Sequence, residues 1–489
     1  MTEKKLSGLK IFGTDGIRAR FGEFPLDNES IIKLGLAIGQ WAQEKYVTNN
    51  NQTLNILIGH DTRISCDSIK QGLAAGLLTH NAIIRDAQVI PTPAIVKFIN
   101  NKCDYFNFGI IITASHNPYQ DNGIKIVDSK IGKLDKSDED KITEFFYSNT
   151  INSRYLKLKD SIKNSGNTQQ EHDTKCKCSC ENISPIRPEL IKGPNDQYKI
   201  LETLQEEYVK TITRYFKKDL LKNIKIALDC ANGATYKVAP EIFKQLGAEI
   251  LLISHTPDGK NINQDCGSTH PENLQKFMLN NSCDIGFAFD GDGDRIAAIS
   301  KNGQTKDGDD ILCILSQHPE YKKQTAIVGT IMSNYGLEIY LNKYNKELIR
   351  ANVGDKNVCK EMVNKNLLVG GEPSGHIVLR DYLSCGDGIF AALKIIESIK
   401  HADNWDLNTF ERTPQITINI KVKEKKDLNE PKFKEIILKY KNKLNNGRLI
   451  VRYSGTENLL RIMTESNDEN LARDICNNLS KELAQELNN

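Results

Sequence analysis

The sequence predicts an α/β protein of about three or four domains. Three observations carry that reading. At 489 residues the chain is too long for a single hydrophobic core. Short apolar runs of strand length alternate with segments of helical period almost throughout. The run Ile285-Gly-Phe-Ala-Phe289 reads as a buried parallel strand that ends in Asp290-Gly-Asp-Gly-Asp-Arg295, and strand ends are where α/β sheets bind ligands.

The elements follow in four blocks. In the first, 54–58 reads as a strand, 68–78 as a helix and 82–84 as a strand. Pro91-Thr-Pro93 starts a further helix, since proline suits a first turn, and 108–113 is a buried strand leading into Ala114-Ser-His-Asn-Pro118. Residues 160–197 lose apolar periodicity and read as a low-complexity surface insertion. The second block has a helix over 197–216, strand 224–229, helix 238–246, strand 249–253 and the strand before the acidic loop. In the third, helix 309–315, strand 325–328, helix 335–344 and strand 367–369 reach Gly370-Gly-Glu-Pro-Ser-Gly-His376, and Gly386-Asp-Gly388 opens a helix running to about 400. The last carries strand 416–422, helix 432–440, the loop Arg452-Tyr-Ser-Gly-Thr-Glu457 and a closing helix over 469–487. The expected units are 1–159, the insertion 160–197, then 198–303, 304–412 and 413–489. No sequence repeat of fixed period is visible.

Composition narrows the function. Apolar residues make up 39% and charged residues 26%, as in a globular protein, and a net charge of +2 gives no basic field for nucleic acid. No apolar run approaches the roughly 18 residues of a membrane helix, and the polar start Met1-Thr-Glu-Lys-Lys5 lacks a signal-peptide core, so a cytoplasmic location is expected. The 12 cysteines are scattered and read as free thiols. Cys176-Lys-Cys-Ser-Cys180, with His172 nearby, lacks a second ligand cluster at zinc-finger spacing.

The chemistry lies in the loops. Asp290, Asp292 and Asp294 alternate with glycines, which lets a tight loop bring three carboxylates together. Without a cation that convergence is repulsive; an all-oxygen set suits a hard divalent ion, Mg²⁺ first. An acidic surface turn is the alternative. An EF-hand is excluded because Arg295 and Lys301 occupy its glycine and glutamate places. An aspartyl-phosphate hydrolase, whose nucleophilic aspartate also follows an apolar strand, stays open here. Ser115 ends a buried strand beside Pro118 and is no hydrolase elbow; a turn serine bonding its own backbone is the plain reading. As a phosphoserine it would carry roughly −2 charge, which a cation held by the aspartates could balance. Arg18 in Phe12-Gly-Thr-Asp-Gly-Ile-Arg18 and Lys125 in Asn122-Gly-Ile-Lys125 add positive charge. Glu372, Ser374 and His376 could grip sugar hydroxyls or an amine, or form a polar turn. Arg452, Ser454, Gly455 and Thr456 have the makings of a phosphate cradle.

Together these loops, in this order, resemble the α-D-phosphohexomutase superfamily over nearly the whole chain apart from the insertion. Phe12–Arg18, Ala114–Lys125, Asp229-Cys-Ala-Asn-Gly-Ala-Thr235 and Asn261-Ile-Asn-Gln-Asp-Cys-Gly-Ser-Thr-His-Pro271 carry the resemblance. It implies three α/β domains with mixed sheets and a smaller C-terminal α+β domain around a central cleft, each giving one loop. It implies that Ser115 is phosphorylated and, with Asp290, Asp292 and Asp294, binds Mg²⁺, while Arg18, Lys125 and Arg295 surround it as catalytic cations. Glu372, Ser374 and His376 match the sugar loop; Arg452, Ser454, Gly455 and Thr456 match the loop for the non-reacting phosphate. The implied reaction moves a phosphoryl group between positions 6 and 1 of a hexosamine phosphate through a bound bisphosphate, for amino-sugar nucleotide and bacterial cell-wall synthesis. Glucose and mannose phosphates are the alternative substrates, and a non-enzymatic sugar-phosphate binder the alternative class. A kinase or a bisphosphate sugar would first load Ser115, and a homodimer is compatible with the resemblance. Tyr453 and Asn458 stand where many members have proline, Ala19 replaces a common glycine, and Pro373 occupies a variable place.

Overall fold

The computed structural model describes residues 10–13, 15–49, 52–130, 132–164, 197–444, 447–454 and 458–488. The expected insertion, with Cys176, Cys178 and Cys180, lies almost wholly outside these residues, as do Gly455 and Thr456.

The first unit contains β1 (Ile17–Arg20), α1 (Asn28–Tyr46), β2 (Leu54–His60), α2 (Cys66–Leu77), β3 (Ala82–Val89), α3 (Thr92–Asn101), β4 (Phe108–Ile112), β5 (Asp121–Asp128), β6 (Gly132–Lys133), α4 (Lys136–Tyr147), α5 (Asn149–Asn164) and β7 (Tyr198–Ile200). Its sheet runs β1-β5-β4-β2-β3-β7, with β6 on β5. The second holds α6 (Leu204–Thr213), β8 (Lys225–Asp229), α7 (Val238–Gln245), β9 (Glu249–Ile253), α8 (Glu272–Asn281), β10 (Ile285–Phe289), β11 (Ile296–Ile299) and β12 (Thr305–Lys306), in the order β12-β11-β10-β8-β9. The third holds α9 (Gly308–Ser316), β13 (Ala326–Thr330), α10 (Tyr335–Lys343), β14 (Glu347–Ala351), α11 (Asp355–Asn364), β15 (Val369–Gly371), β16 (Ile377–Leu379) and α12 (Gly388–Ala402), ordered β14-β13-β15-β16. The fourth is an antiparallel sheet, β17 (Gln415–Lys421), β19 (Leu459–Ser466) and β18 (Gly447–Tyr453), with α13 (Pro431–Lys441) and α14 (Glu469–Asn488).

The α/β class with mixed sheets is as expected. In each of the first three sheets a parallel strand turns into an antiparallel partner: β4 into β5, β10 into β11, β15 into β16. The serine, acidic and Glu372 loops occupy these three turns. The repeat is therefore one of topology, not of sequence.

Two boundaries differ from the expected ones. Helix α5 continues past 160 through Asn164. Residues 198–200, read as the start of a helix in the second unit, are a strand parallel to β3 in the first sheet. There the exposed edge of β3 is satisfied: Ile84 N donates to the Gln197 carbonyl at 2.6 Å.

A continuous apolar core joins α3 (Ile95, Ile99) to Leu228 and Phe289 of the second unit and Phe390 of the third. The fourth unit has its own core around Phe433, Ile462 and Leu479. It is tied to the third by charge: Arg448 reaches the Ser333 carbonyl at 2.8 Å and Glu465 at 2.7 Å, and Glu465 also accepts from Tyr335 N at 3.2 Å. No described helix is long and apolar enough to cross a membrane.

Candidate active site

Buried β4 projects Thr113, Ala114 and Ser115 from its carboxyl end. Ser115 has φ 51°, a left-handed conformation that strains a residue with a side chain. Ser115 N donates to Thr113 Oγ1 at 2.9 Å. Its own hydroxyl donates to Asp290 Oδ2 at 2.5 Å, from the loop after β10.

Asp290, Asp292 and Asp294 are all buried, and one oxygen from each lies within 4.8 Å of the others. The intervening glycines are required by space. A Cβ on Gly291 would stand 2.6 Å from the Ser115 carbonyl, and Gly293 has φ +74°. The N-terminus of α3 supports the loop: Thr92 N and Oγ1 donate to the carbonyl and Oδ2 of Asp292, at 2.9 and 2.7 Å. Burial, then Asp292 and Asp294, push Asp290 well above the ordinary carboxyl range. Asp292 Oδ1 and Asp294 Oδ1 are buried without a hydrogen-bond donor. The bare Asp292 oxygen, the Asp294 oxygen that faces His376 Nδ1 at 3.6 Å and the third carboxylate beside them fit a bound cation.

Lys125 on β5 is the cation this cluster already has. Its ammonium lies 3.0 Å from Asp292, 3.3 Å from Asp294 and 3.4 Å from Asp15. Burial opposes its charge, but Asp15 and the two loop aspartates raise it well above its ordinary value. Burial likewise opposes the charge of Asp294, which Lys125 and His376 hold well below the usual range. Arg18 on β1 donates to the Thr113 carbonyl at 2.8 Å and to Asp15 at 3.2 Å. It fits because its register partner is Gly123, whose Cβ would stand 2.8 Å from Arg18 Cδ. Arg295 N donates to Asp290 Oδ1 at 3.0 Å, while its buried Nε lacks an acceptor. Burial, then Arg295, lower His116 to about 4, so that ring is neutral at pH 7.

The third loop is sewn to the acidic loop by backbone. Ile296 N donates to the Gly375 carbonyl at 3.0 Å, and Arg295 bridges His376. His376 is buried, with Nδ1 3.6 Å from Asp294 and Nε2 3.8 Å from Asp355. Those carboxylates overcome burial to raise it, whereas Gly386 N–H, 3.1 Å from Nε2, favours the neutral ring with its proton on Nδ1. Glu372 is buried and accepts from Gly354 N at 2.9 Å; Ser374 is exposed.

The structure thus brings Ser115, the three aspartates, Arg18, Lys125, Arg295 and His376 into one cluster. Arg452 lies on β18 and Ser454 directly follows it, and among the described residues neither makes a hydrogen bond to that cluster. Arg452 stands directly opposite Arg461 on β19, so the two guanidiniums share a face of the sheet. Burial, then Arg461, lower Arg452. Arg461 was not singled out from sequence; an arginine between the apolar Leu460 and Ile462 of a strand was the available signal. Asp15 was passed over inside a quoted motif. Lys133, 2.7 Å from Asp15 and also paired with Asp355, gave no local signal at all.

Comparison with known proteins agrees with this geometry. Family models for phosphoglucomutase/phosphomannomutase match in order: alpha/beta/alpha domain I at residues 9–152, domain II at 206–303, domain III at 307–411 and the C-terminal domain at 418–482. Four such units in this order, with near full-length phosphoglucosamine mutase relatives, define a phosphohexomutase, an isomerase. The chain belongs to the phosphoglucomutase/phosphomannomutase family. It is 38% identical to a phosphoglucosamine mutase of Campylobacter jejuni (strain RM1221), over 94% of this chain and 95% of that one. It is 36% identical to the phosphoglucosamine mutase of Fusobacterium nucleatum, over 98% and 100%. Among solved structures, a phosphoglucomutase/phosphomannomutase family protein from Burkholderia thailandensis shares the fold with a TM-score of 0.71 at 20% identity, covering 98% of both chains. N-acetylphosphoglucosamine mutase of Aspergillus fumigatus, solved with GlcNAc-6P and magnesium, gives 0.64 at 16% identity, covering 99% of this chain and 98% of that one.

Proposed function

We propose that this chain interconverts glucosamine 6-phosphate and glucosamine 1-phosphate through phosphorylated Ser115 and a bound bisphosphate. The observation that carries the reading is the 2.5 Å hydrogen bond from Ser115 Oγ to Asp290, inside a carboxylate cluster that fits a cation. The substrate rests on the near full-length similarity to phosphoglucosamine mutases and on Glu372, whose carboxylate can pair with a sugar ammonium.

Asp290, Asp292 and Asp294 would hold Mg²⁺, with the Ser115 phosphate completing the set. When bound, Mg²⁺ balances charge on the transferring phosphoryl group and polarises it. Ser115 gives its phosphoryl group to the free hydroxyl of the sugar phosphate. The bisphosphate turns over and returns the other phosphoryl group to Ser115 Oγ. Lys125 fixes Asp292 and Asp294 and, with Arg18 and Arg295, supplies positive charge beside the serine. Glu372 and Ser374 bind the sugar, and His376 holds Asp294 in register. Arg452, Ser454, Gly455 and Thr456, joined by Arg461, receive whichever phosphate is not reacting. A kinase or a bisphosphate sugar supplies the first phosphate on Ser115.

The test is direct. Purified protein phosphorylated at Ser115 is given Mg²⁺ and glucosamine, glucose and mannose phosphates side by side. The highest kcat/KM is expected on glucosamine phosphate. A higher value on mannose or glucose phosphate moves the substrate assignment there.

A further inference from the structure

Two side chains from different units grip the same pair of backbone carbonyls beside Ser115. Asn263 Nδ2, from the second unit, donates to the carbonyls of Ser115 at 2.8 Å and Asn117 at 3.0 Å. Arg63 Nη2, from the first, donates to the same two at 3.1 and 2.9 Å, while its Nη1 reaches the Pro118 carbonyl. Arg63 has no exposed side-chain surface, and its Nε is paired with equally buried Asp61 at 2.9 Å.

The amide side of the serine peptide returns to the same pair. Thr113 Oγ1, which accepts from Ser115 N, donates to Asp61 Oδ2 at 2.7 Å. Both ends of the left-handed Ser115 residue are therefore tied to Asp61 and Arg63, which offsets its backbone strain. Asn263 does something else. Its loop belongs to the sheet that carries the three aspartates, and it is held in a left-handed turn (φ 57°) by donating its N–H to the Ala231 carbonyl at 2.9 Å. A Cβ on Gly291 would stand 2.6 Å from the Ser115 carbonyl and 2.7 Å from Asn263 Nδ2, so clamp and acidic loop are in direct contact.

We infer that Asn263, acting with Arg63, is a positioning residue that sets the distance between the Ser115 oxygen and the aspartate cluster. This rests on Ser115 being the phosphoryl carrier. Without the Asn263 donors the serine loop stays folded on Arg63 but loses its register to the second unit. Misplacement of a reacting group on the scale of an ångström costs about 100-fold in rate. Water, which needs no such register, is less affected. In that side reaction it attacks phosphorus, the P–Oγ bond breaks, inorganic phosphate leaves and Ser115 regains its hydroxyl.

The experiment compares Asn263→Ala and Arg63→Lys with the wild-type full chain, each loaded with phosphate at Ser115. For Asn263→Ala, kcat on glucosamine 6-phosphate is expected to fall about 100-fold with KM changed by less than about threefold. The ratio of phosphoserine hydrolysis to sugar transfer should rise at least about tenfold in both variants. Amide hydrogen exchange over 113–118 should quicken in both, a readout independent of the sugar. An unchanged ratio, an unchanged exchange rate, or a loss of kcat that only tracks a lower folded fraction overturns the inference. Absence of transfer to any hexose phosphate by the wild type overturns the functional reading instead, and exchange over 113–118 then decides the clamp alone.

Discussion

Ser115 Oγ donates to Asp290 Oδ2 at 2.5 Å, joining two loops 175 positions apart in the chain. Each loop closes a parallel strand and opens an antiparallel one, so the same topological turn delivers the hydroxyl from one sheet and the carboxylate from the next. Ser115→Ala removes the proposed carrier while leaving Asp61, Arg63 and Asn263 in place. Mutase activity should fall by several orders of magnitude, with the melting temperature little changed. Turnover near the wild-type level in purified mutant protein rules out a serine carrier.

Asp292 is the member of the acidic cluster that Thr92 holds. Its Oδ2 is taken by Thr92 and Lys125, while its buried Oδ1 has no donor. Asp292→Asn keeps an acceptor for Thr92 but removes a charge from the oxygen cage. Mg²⁺ affinity, read by calorimetry, and kcat should fall together. Full activity in excess chelator would exclude a metal role.

Arg452 and Arg461 stand opposite each other on neighbouring strands, so an anion bound between them could accept from both guanidiniums. Arg461→Ala should therefore raise KM for the sugar phosphate by about 10- to 100-fold, the worth of a hydrogen bond to a charged group. The kcat should move less, because the phosphate proposed to bind there is the one that does not react. Steady-state kinetics check this. An equal loss in kcat at constant KM would place Arg461 in the chemical step.

Glu372 tests substrate choice. Its Oε1 accepts from Gly354 N at 2.9 Å, a bond glutamine retains. Glu372→Gln should raise KM for glucosamine phosphate about tenfold and leave that for glucose phosphate nearly constant. Equal effects on both sugars would mean that the carboxylate does not read the amine.

What was legible in the sequence was local. The acidic loop, the serine loop and the Glu372 loop each occupy a few consecutive residues after an apolar strand, so composition and order sufficed. Partners set by tertiary packing were not. Arg63 and Asn263 meet the serine loop only after two sheets have docked, and Lys133 pairs with Asp355 across 222 positions. No periodicity encodes such pairs. Residues 198–200 were read as helix because the run Tyr198-Lys-Ile200 is too short for its alternation to stand out before a helical segment, and what makes it a strand is the open edge of β3. His376 stood in a loop expected to face sugar, yet the bridge to Arg295 turns it against Asp294.

Asp309 supplies a pH-dependent prediction away from the catalytic cluster. It lies in the first turn of α9, where Oδ2 accepts from Asn334 N at 2.8 Å and Oδ1 is buried without a donor. Burial, then Asp307, push its carboxyl up to about 7 from an ordinary 3.8. A raised carboxyl binds its proton more tightly in the folded than in the unfolded state, so folding is favoured at low pH and loses stability as pH rises between those two values. Asp309→Asn, neutral throughout, escapes that loss and can still accept from Asn334 N. The variant should match the wild type near pH 4 and become more stable by up to about 4 kcal/mol near pH 8. Urea unfolding at about pH 4.5, 6 and 8 gives the difference directly. A difference independent of pH would mean that Asp309 ionises at its ordinary value and that its empty oxygen carries no linkage.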